Sequence, residues 1–143
     1  MDAWFTKAAE MFPELEDLLT EPGHLSTPMA FCSELYFKLL DAYDERPVND
    51  GRIGRIYEFI GWCLLQPSTD TADTDLPTAA SVGFIEDLPL DKRVADDLYR
   101  WMSVESFKGM ENLFRYHLSN GEFQTFADQF LQKKKQFNPP SRI

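Results

Sequence analysis

An all-α fold is predicted by three observations: apolar residues recur at helical spacing, capping and stop residues bracket those stretches, and no run alternates apolar with polar beyond a few residues. The 143 residues, 43% hydrophobic and 14% aromatic, supply one core. The expected architecture is a single-domain helical bundle, or a short array of antiparallel helix pairs of HEAT-like kind, with about six to eight helices over residues 1–137. The tail "NPPSRI", 138–143, reads as flexible.

The elements follow in order. Trp4, Phe5, Ala8, Met11 and Phe12 predict a helix interrupted at Pro13, with a short second piece in "PELEDLLTE" before Pro22 and Gly23. In "STPMAFCSELYFKLLDAYDE" Thr27 caps, Pro28 takes a position that needs no N–H, and Phe31, Leu35, Leu39 and Tyr43 share a face through about four turns. In "NDGRIGRIYEFIGWCLLQP" Asn49 or Asp50 caps, Ile53, Ile56, Tyr57, Ile60, Cys63 and Leu64 point inward, and Pro67 stops the helix. Gly54 and Gly61 lower its propensity and imply close approach by a neighbouring helix.

Downstream, "TAASVGFIEDL" has strand-like Val-Gly-Phe-Ile content, but Thr78 as a cap and Ala79, Val82, Ile85 and Leu88 at helical spacing favour a short helix before Pro89. Asp91 caps "DKRVADDLYRWM", with Val94, Leu98, Trp101 and Met102 inward. A helix starting at Ser103 carries Phe107, Met110, Phe114, His117 and Leu118 and stops at Gly121 in the left-handed region. Phe123, Phe126, Phe130 and Leu131 then form a stripe ending in Lys133, Lys134 and Lys135, where cations favour the carbonyl end.

Charge bears on function. The net charge is −10, distributed as −8 over residues 1–50, +1 over 51–65, −6 over 66–97 and +3 over 98–143. Such a balance repels nucleic acid and anionic lipid and suits a basic protein partner; solvated faces that keep a small domain soluble are the plain reading of the same blocks. The longest apolar run, "FIGWCLL", is far short of the roughly 20 residues of a membrane span. "MDAWFTKAAEMF" has no long apolar region of a secretory signal. Cys32 and Cys63, each in an apolar helical pattern, read as two inert core thiols in a reducing compartment, so a cytoplasmic location is expected.

Constellations that would carry chemistry do not form. Asp70, Asp73 and Asp75 lack the Gly at position 6 and the Glu at position 12 of a calcium loop, which leaves a solvated spacer or part of a partner-facing surface. His24, Cys32, Cys63 and His117 are too dispersed for zinc, and GxSxG, GxxxxGK[ST] and GxGxxG are absent. His117 reads as a satisfied, partly buried histidine. Arg52 and Arg55 read as surface partners of Glu58 or Asp50, with an anion at the helix N-terminus as the other use. Glu86-Asp87 and Asp96-Asp97 are sequence neighbours that splay apart on a helix, which is wrong for shared-proton catalysis. No catalytic residue, metal ligand or cofactor is therefore expected.

Recognition remains. Trp4, Trp62, Trp101, Tyr36, Tyr57, Tyr99 and Tyr116 are large anchors, mostly core by spacing, but Trp62 falls off the Ile53, Ile56 and Ile60 face and can meet a second helix or a partner. Asp70, Asp73, Asp75, Glu86, Asp87, Asp91, Asp96 and Asp97 are expected as rim charges of an acidic, aromatic-edged face that covers a basic site on a partner. The succession "GRIGRIYEFIGWCLLQP", an acidic spacer, "AASVGFIEDLP" and "LYRWMS" resembles small uncharacterised bacterial all-helical domains, some of them like immunity proteins of polymorphic toxin systems, over roughly residues 30–120. That resemblance implies a non-catalytic inhibitor of a basic partner such as a toxin, and carries no site residues over. A self-associating adaptor, with aromatic stripes as a homodimer seam, is the alternative.

Overall fold

A computed structural model describes residues 3–20, 27–72 and 74–143. Nine α-helices and three 3-10 turns make up the described chain, with no strand among the described residues; the helix count is slightly above that expected. α1 (Ala3–Met11) ends before Pro13, a 3-10 turn (Pro13–Leu15) follows, and α2 (Glu16–Thr20) is the short second piece. α3 (Pro28–Asp44) starts where Thr27 Oγ1 accepts from the Ala30 N–H, and α4 (Asp50–Leu64) starts where Asn49 Oδ1 accepts from Arg52. Each bond satisfies an N–H that has no intrahelical partner. The bends expected at Pro22 and Gly23, and His24, lie outside the described residues.

The middle of the chain is helix, as its spacing favoured, with a different cap. α5 (Leu76–Gly83) is capped by Asp75, not Thr78: Asp75 accepts from the Thr78 N–H at 2.9 Å and from the Thr69 N–H at 2.7 Å. Leu76 and Pro77 fit the first turn, so the helix begins earlier than the Thr78 signal suggested. Pro89 does not end a helix here; it sits within a 3-10 turn, Ile85–Leu90. α6 (Lys92–Asp97), capped by Asp91, tightens into a 3-10 turn over Leu98–Arg100.

The stretch from Ser103 to Gly121 departs most from expectation. It divides at Met110 into α7 (Val104–Gly109), which Ser103 caps, and α8 (Glu111–Arg115). Gly121 does not stop a helix; it lies in the first turn of α9 (Asn120–Gln136). The reason is Ser119, which with Glu122 forms a reciprocal capping box and starts a helix where the glycine suggested an end.

α3, α4 and α5 pack on one another at the centre. Gly83 permits this, since a Cβ there would lie 3.1 Å from Cys32 Cβ and 3.2 Å from the Met29 carbonyl. One continuous core contains three aromatic nests. Phe12, Phe31 and Phe59 meet with centroids 5.5–6.1 Å apart. Tyr57 stands edge-on to Phe84 and stacks on Trp101 at 5.7 Å. Phe107 stacks on Phe130 at 4.0 Å beside Phe114 and Phe126. Truncating a ring buried this fully costs about 3–5 kcal/mol.

Residues 138–143 are not loose at their far end. Arg142 and Ile143 donate their N–H groups to the Trp101 carbonyl at 2.8 and 3.0 Å, and Ile143 accepts from the Ser103 N–H at 2.9 Å. The two glycines of α4 explain the docking. A Cβ on Gly61 would lie 3.0 Å from the Arg142 carbonyl, and one on Gly54 would lie 3.3 Å from the Trp101 ring. Close approach was legible, but the neighbour is this extended segment and an indole, not another helix.

Candidate functional site

Arg55, Glu58 and Trp62 of α4, with Leu65 just past its end, follow at helical spacing along the outer face. Arg55 donates to the Met11 carbonyl at 2.8 Å and to Glu14 at 2.7 Å, so it ties α1 to α4 instead of pairing with Glu58 or Asp50. Trp62, half-buried, lies over Phe59 with centroids 6.0 Å apart, while Leu65, the C-cap residue just after α4, is 85% exposed. Around them opens a groove of about 680 Å³ walled by Met11, Trp62, Leu64, Leu65, Met110 and Ile143. The Lys7 ammonium stands 5.9 Å from the Trp62 ring, and Arg142 pairs with Glu58 across 3.5 Å at the edge.

This arrangement is an apolar cleft with charges of both signs at its rim. Two methionines give it adaptable walls, and a half-exposed indole supplies an anchor. Trp62 is the one sequence-predicted binding residue that the groove contains. Leu65, Met11 and Met110 were missed. Spacing along α4 could have found Leu65, which follows Trp62 by three; the methionines arrive from α1 and from the break between α7 and α8, which no local pattern links.

The seven described acids among the eight predicted as rim charges do not line it. Asp70 is exposed in the loop after α4, and Asp73 lies outside the described residues. Asp75 is buried as the α5 cap, and its bonds to Thr78 and the Thr69 N–H hold its carboxyl below the usual range. Threonine hydroxyls of the same loop bond one another, Thr69 to Thr74 at 2.9 Å and Thr71 to Thr74 at 2.6 Å. So Asp75 and the loop threonines shape a turn.

Glu86 is buried in the turn after α5, where burial pushes its carboxyl up and the nearby His117 partly offsets this. Asp87 faces His117 Nε2 at 3.2 Å, giving that histidine its partner. Asp91 caps α6 and holds Arg93; burial pushes its carboxyl up, but the guanidinium and backbone N–H bonds outweigh it and leave the pKa lowered. Asp96 pairs with Lys92 at 2.7 Å. Asp97 accepts from Tyr43 Oη at 2.6 Å, Trp101 Nε1 at 3.1 Å and Arg100 at 3.1 Å, and Arg100 reaches on to Asp50 at 3.0 Å. Asp75, Asp91 and Asp97 therefore hold the fold together, because each reaches an orphan N–H, a hydroxyl or a cation before it reaches solvent, whereas burial of Glu86 disfavours its charged form.

Other groups with chemical potential are quiet. Cys32 and Cys63 are buried free thiols from adjacent helices, and their mutual hydrogen bond followed by burial pushes the Cys63 thiol far up. Among the described residues no group of three or more His, Cys, Asp and Glu side chains comes together as a metal site. No described helix is long and apolar enough to cross a membrane. Comparison with protein-family models, curated protein sequences and solved structures finds no match.

Proposed function

We propose that this chain is a non-catalytic protein-binding domain of the immunity or inhibitor-like kind, which neutralises a basic partner such as a bacterial toxin from within the cytoplasm. The observation that carries the reading is the placement of Trp62 and Leu65 together on the α4 groove, where an anchor can be desolvated between adaptable walls. Net charge adds range: at −10 the molecule attracts a cationic protein before contact, and exposed carboxylates such as Asp41, Asp44 and Asp70 contribute to that field. Binding energy and attraction thus reside in different residues.

The test is calorimetric titration of the protein against the product of the adjacent gene, with growth rescue on co-expression as the cellular readout. Heat and rescue that both disappear with Trp62→Ala are expected. Neither heat nor rescue from the unmodified protein would overturn the reading.

A self-associating adaptor is the second reading, favoured by the mixed signs at the groove. Lys7 and Glu58 on one copy are complementary to Glu58 and Lys7 on another related by a two-fold axis. Light scattering separates the two, since this reading requires a dimer without any other protein and its loss in Leu65→Asp.

A further inference from the structure

The C-terminal turns of α9 build a second pocket, of about 800 Å³, between that helix and α7. Lys108, Lys134 and Lys135 line it, and none of the three pairs with a carboxylate among the described residues. Asp128, the carboxylate on the same wall, accepts from Gln124 at 2.8 Å. In a chain of net charge −10 this is a local excess of cation, whereas Arg55, Lys92 and Arg100 each pair with an acid.

Lys134 is the unusual member. It is only 7% exposed, its ammonium donates to the Ser141 hydroxyl at 3.2 Å, and it stands 6.0 Å from the Phe130 ring. Burying an ammonium against a neutral hydroxyl and a ring is costly, and desolvation accordingly holds its pKa below the ordinary lysine range. The carbonyl end of α9 contributes about half a negative charge, too little to balance three cations. An anion in the pocket would complete the missing half of the pair.

We propose that this pocket binds a soluble small molecule carrying a phosphate or pyrophosphate group. Phosphate carries about −1.5 to −2 charges at neutral pH and offers three acceptor oxygens, which suits a pocket lined by three lysines. The cavity far exceeds one phosphate, and the apolar Val104 and Leu131 with the amides of Gln132 and Asn138 provide room and partners for an organic body. Small size matters. A polyanion such as nucleic acid would meet the acidic remainder of the surface, whereas a ligand confined to the pocket would not.

The experiment is a titration of the 15N-labelled protein with pyrophosphate and with ADP, against sodium chloride at matched ionic strength, with calorimetry in parallel. Saturable amide shifts confined to residues 104–108 and 131–141 are expected, ADP and pyrophosphate giving overlapping sets. The double variant Lys108→Ala, Lys135→Ala changes exposed positions only and is expected to bind at least about tenfold more weakly, since two of the three cationic donors are lost. Lys134→Met keeps the buried stem and is expected to abolish saturation. Absence of saturable shifts, the same shifts with chloride, or full affinity in the double variant would overturn the proposal. None of these outcomes bears on the α4 groove, which faces different residues.

Discussion

Tyr43 and Tyr57 sit on neighbouring central helices, and burial pushes both hydroxyls above the usual phenol range, yet among the described residues only Tyr43 has a partner. Its hydroxyl meets Asp97 at 2.6 Å, whereas that of Tyr57 is fully buried with none. Tyr43→Phe should therefore cost about 1.5–3 kcal/mol, the range for a hydrogen bond to a charged acceptor. Tyr57→Phe should be neutral or stabilising by up to about 1 kcal/mol, because it deletes an unsatisfied group. Urea denaturation compares them directly, and equal losses would refute the assignment. Glu86 gives the pH counterpart. Its folded pKa is raised above the ordinary glutamate value of 4.5, so its contribution to stability is complete below about pH 4.5 and is lost as pH rises through the folded value. Glu86→Gln should accordingly raise the urea midpoint at neutral pH, with the advantage vanishing near pH 4. Asp75 acts in the opposite sense: its pKa is lowered from 3.8, so its contribution is complete above that pH and fails as acid is added.

Elements show the same division between local and distant causes. The caps at Thr27, Asn49, Asp91 and Ser103 and the Phe123, Phe126 and Phe130 stripe were legible, because each is decided by residues within a turn or two. Ser119→Ala, which opens the capping box of α9, should cost about 1 kcal/mol in chemical denaturation. The break at Met110 was not legible, since Phe107, Met110 and Phe114 satisfy one helical face whether the helix continues or divides; in the fold Phe107 stacks on both Phe130 and Phe114. Nor was the docked tail, whose partner carbonyl lies about forty residues back at Trp101. Gly61 links the two scales. Alanine there favours the helix by about 1 kcal/mol in propensity but places a Cβ 3.0 Å from the Arg142 carbonyl. Gly61→Ala should leave α4 intact and detach the tail, seen as faster hydrogen exchange at the Ser103, Arg142 and Ile143 amides with α4 amides unchanged.

At the scale of the whole molecule, the acids that the sequence offered as one docking rim are divided between holding the fold and charging the surface. The candidate site was consequently legible only at Trp62, whose departure from the inward face of α4 is a local fact; its companions converge from three parts of the chain. The division has a kinetic consequence if the α4 groove is the docking surface. Long-range attraction depends on summed exposed charge, whereas dissociation depends on desolvated contacts at the groove. Trp62→Ala should raise the dissociation rate against the cognate partner by about thirty-fold or more, the equivalent of a hot spot worth at least about 2 kcal/mol, and should leave the salt dependence of association unaltered. Reversing an exposed acid remote from the groove, as in Asp41→Lys, should do the converse: slower association, a shallower dependence on ionic strength and an unchanged dissociation rate. Surface-attached binding kinetics at two salt concentrations measure all four quantities. If Trp62→Ala altered association and its salt dependence while dissociation held constant, contact energy and steering would not be separated in this molecule, and the groove would not be where the partner is held.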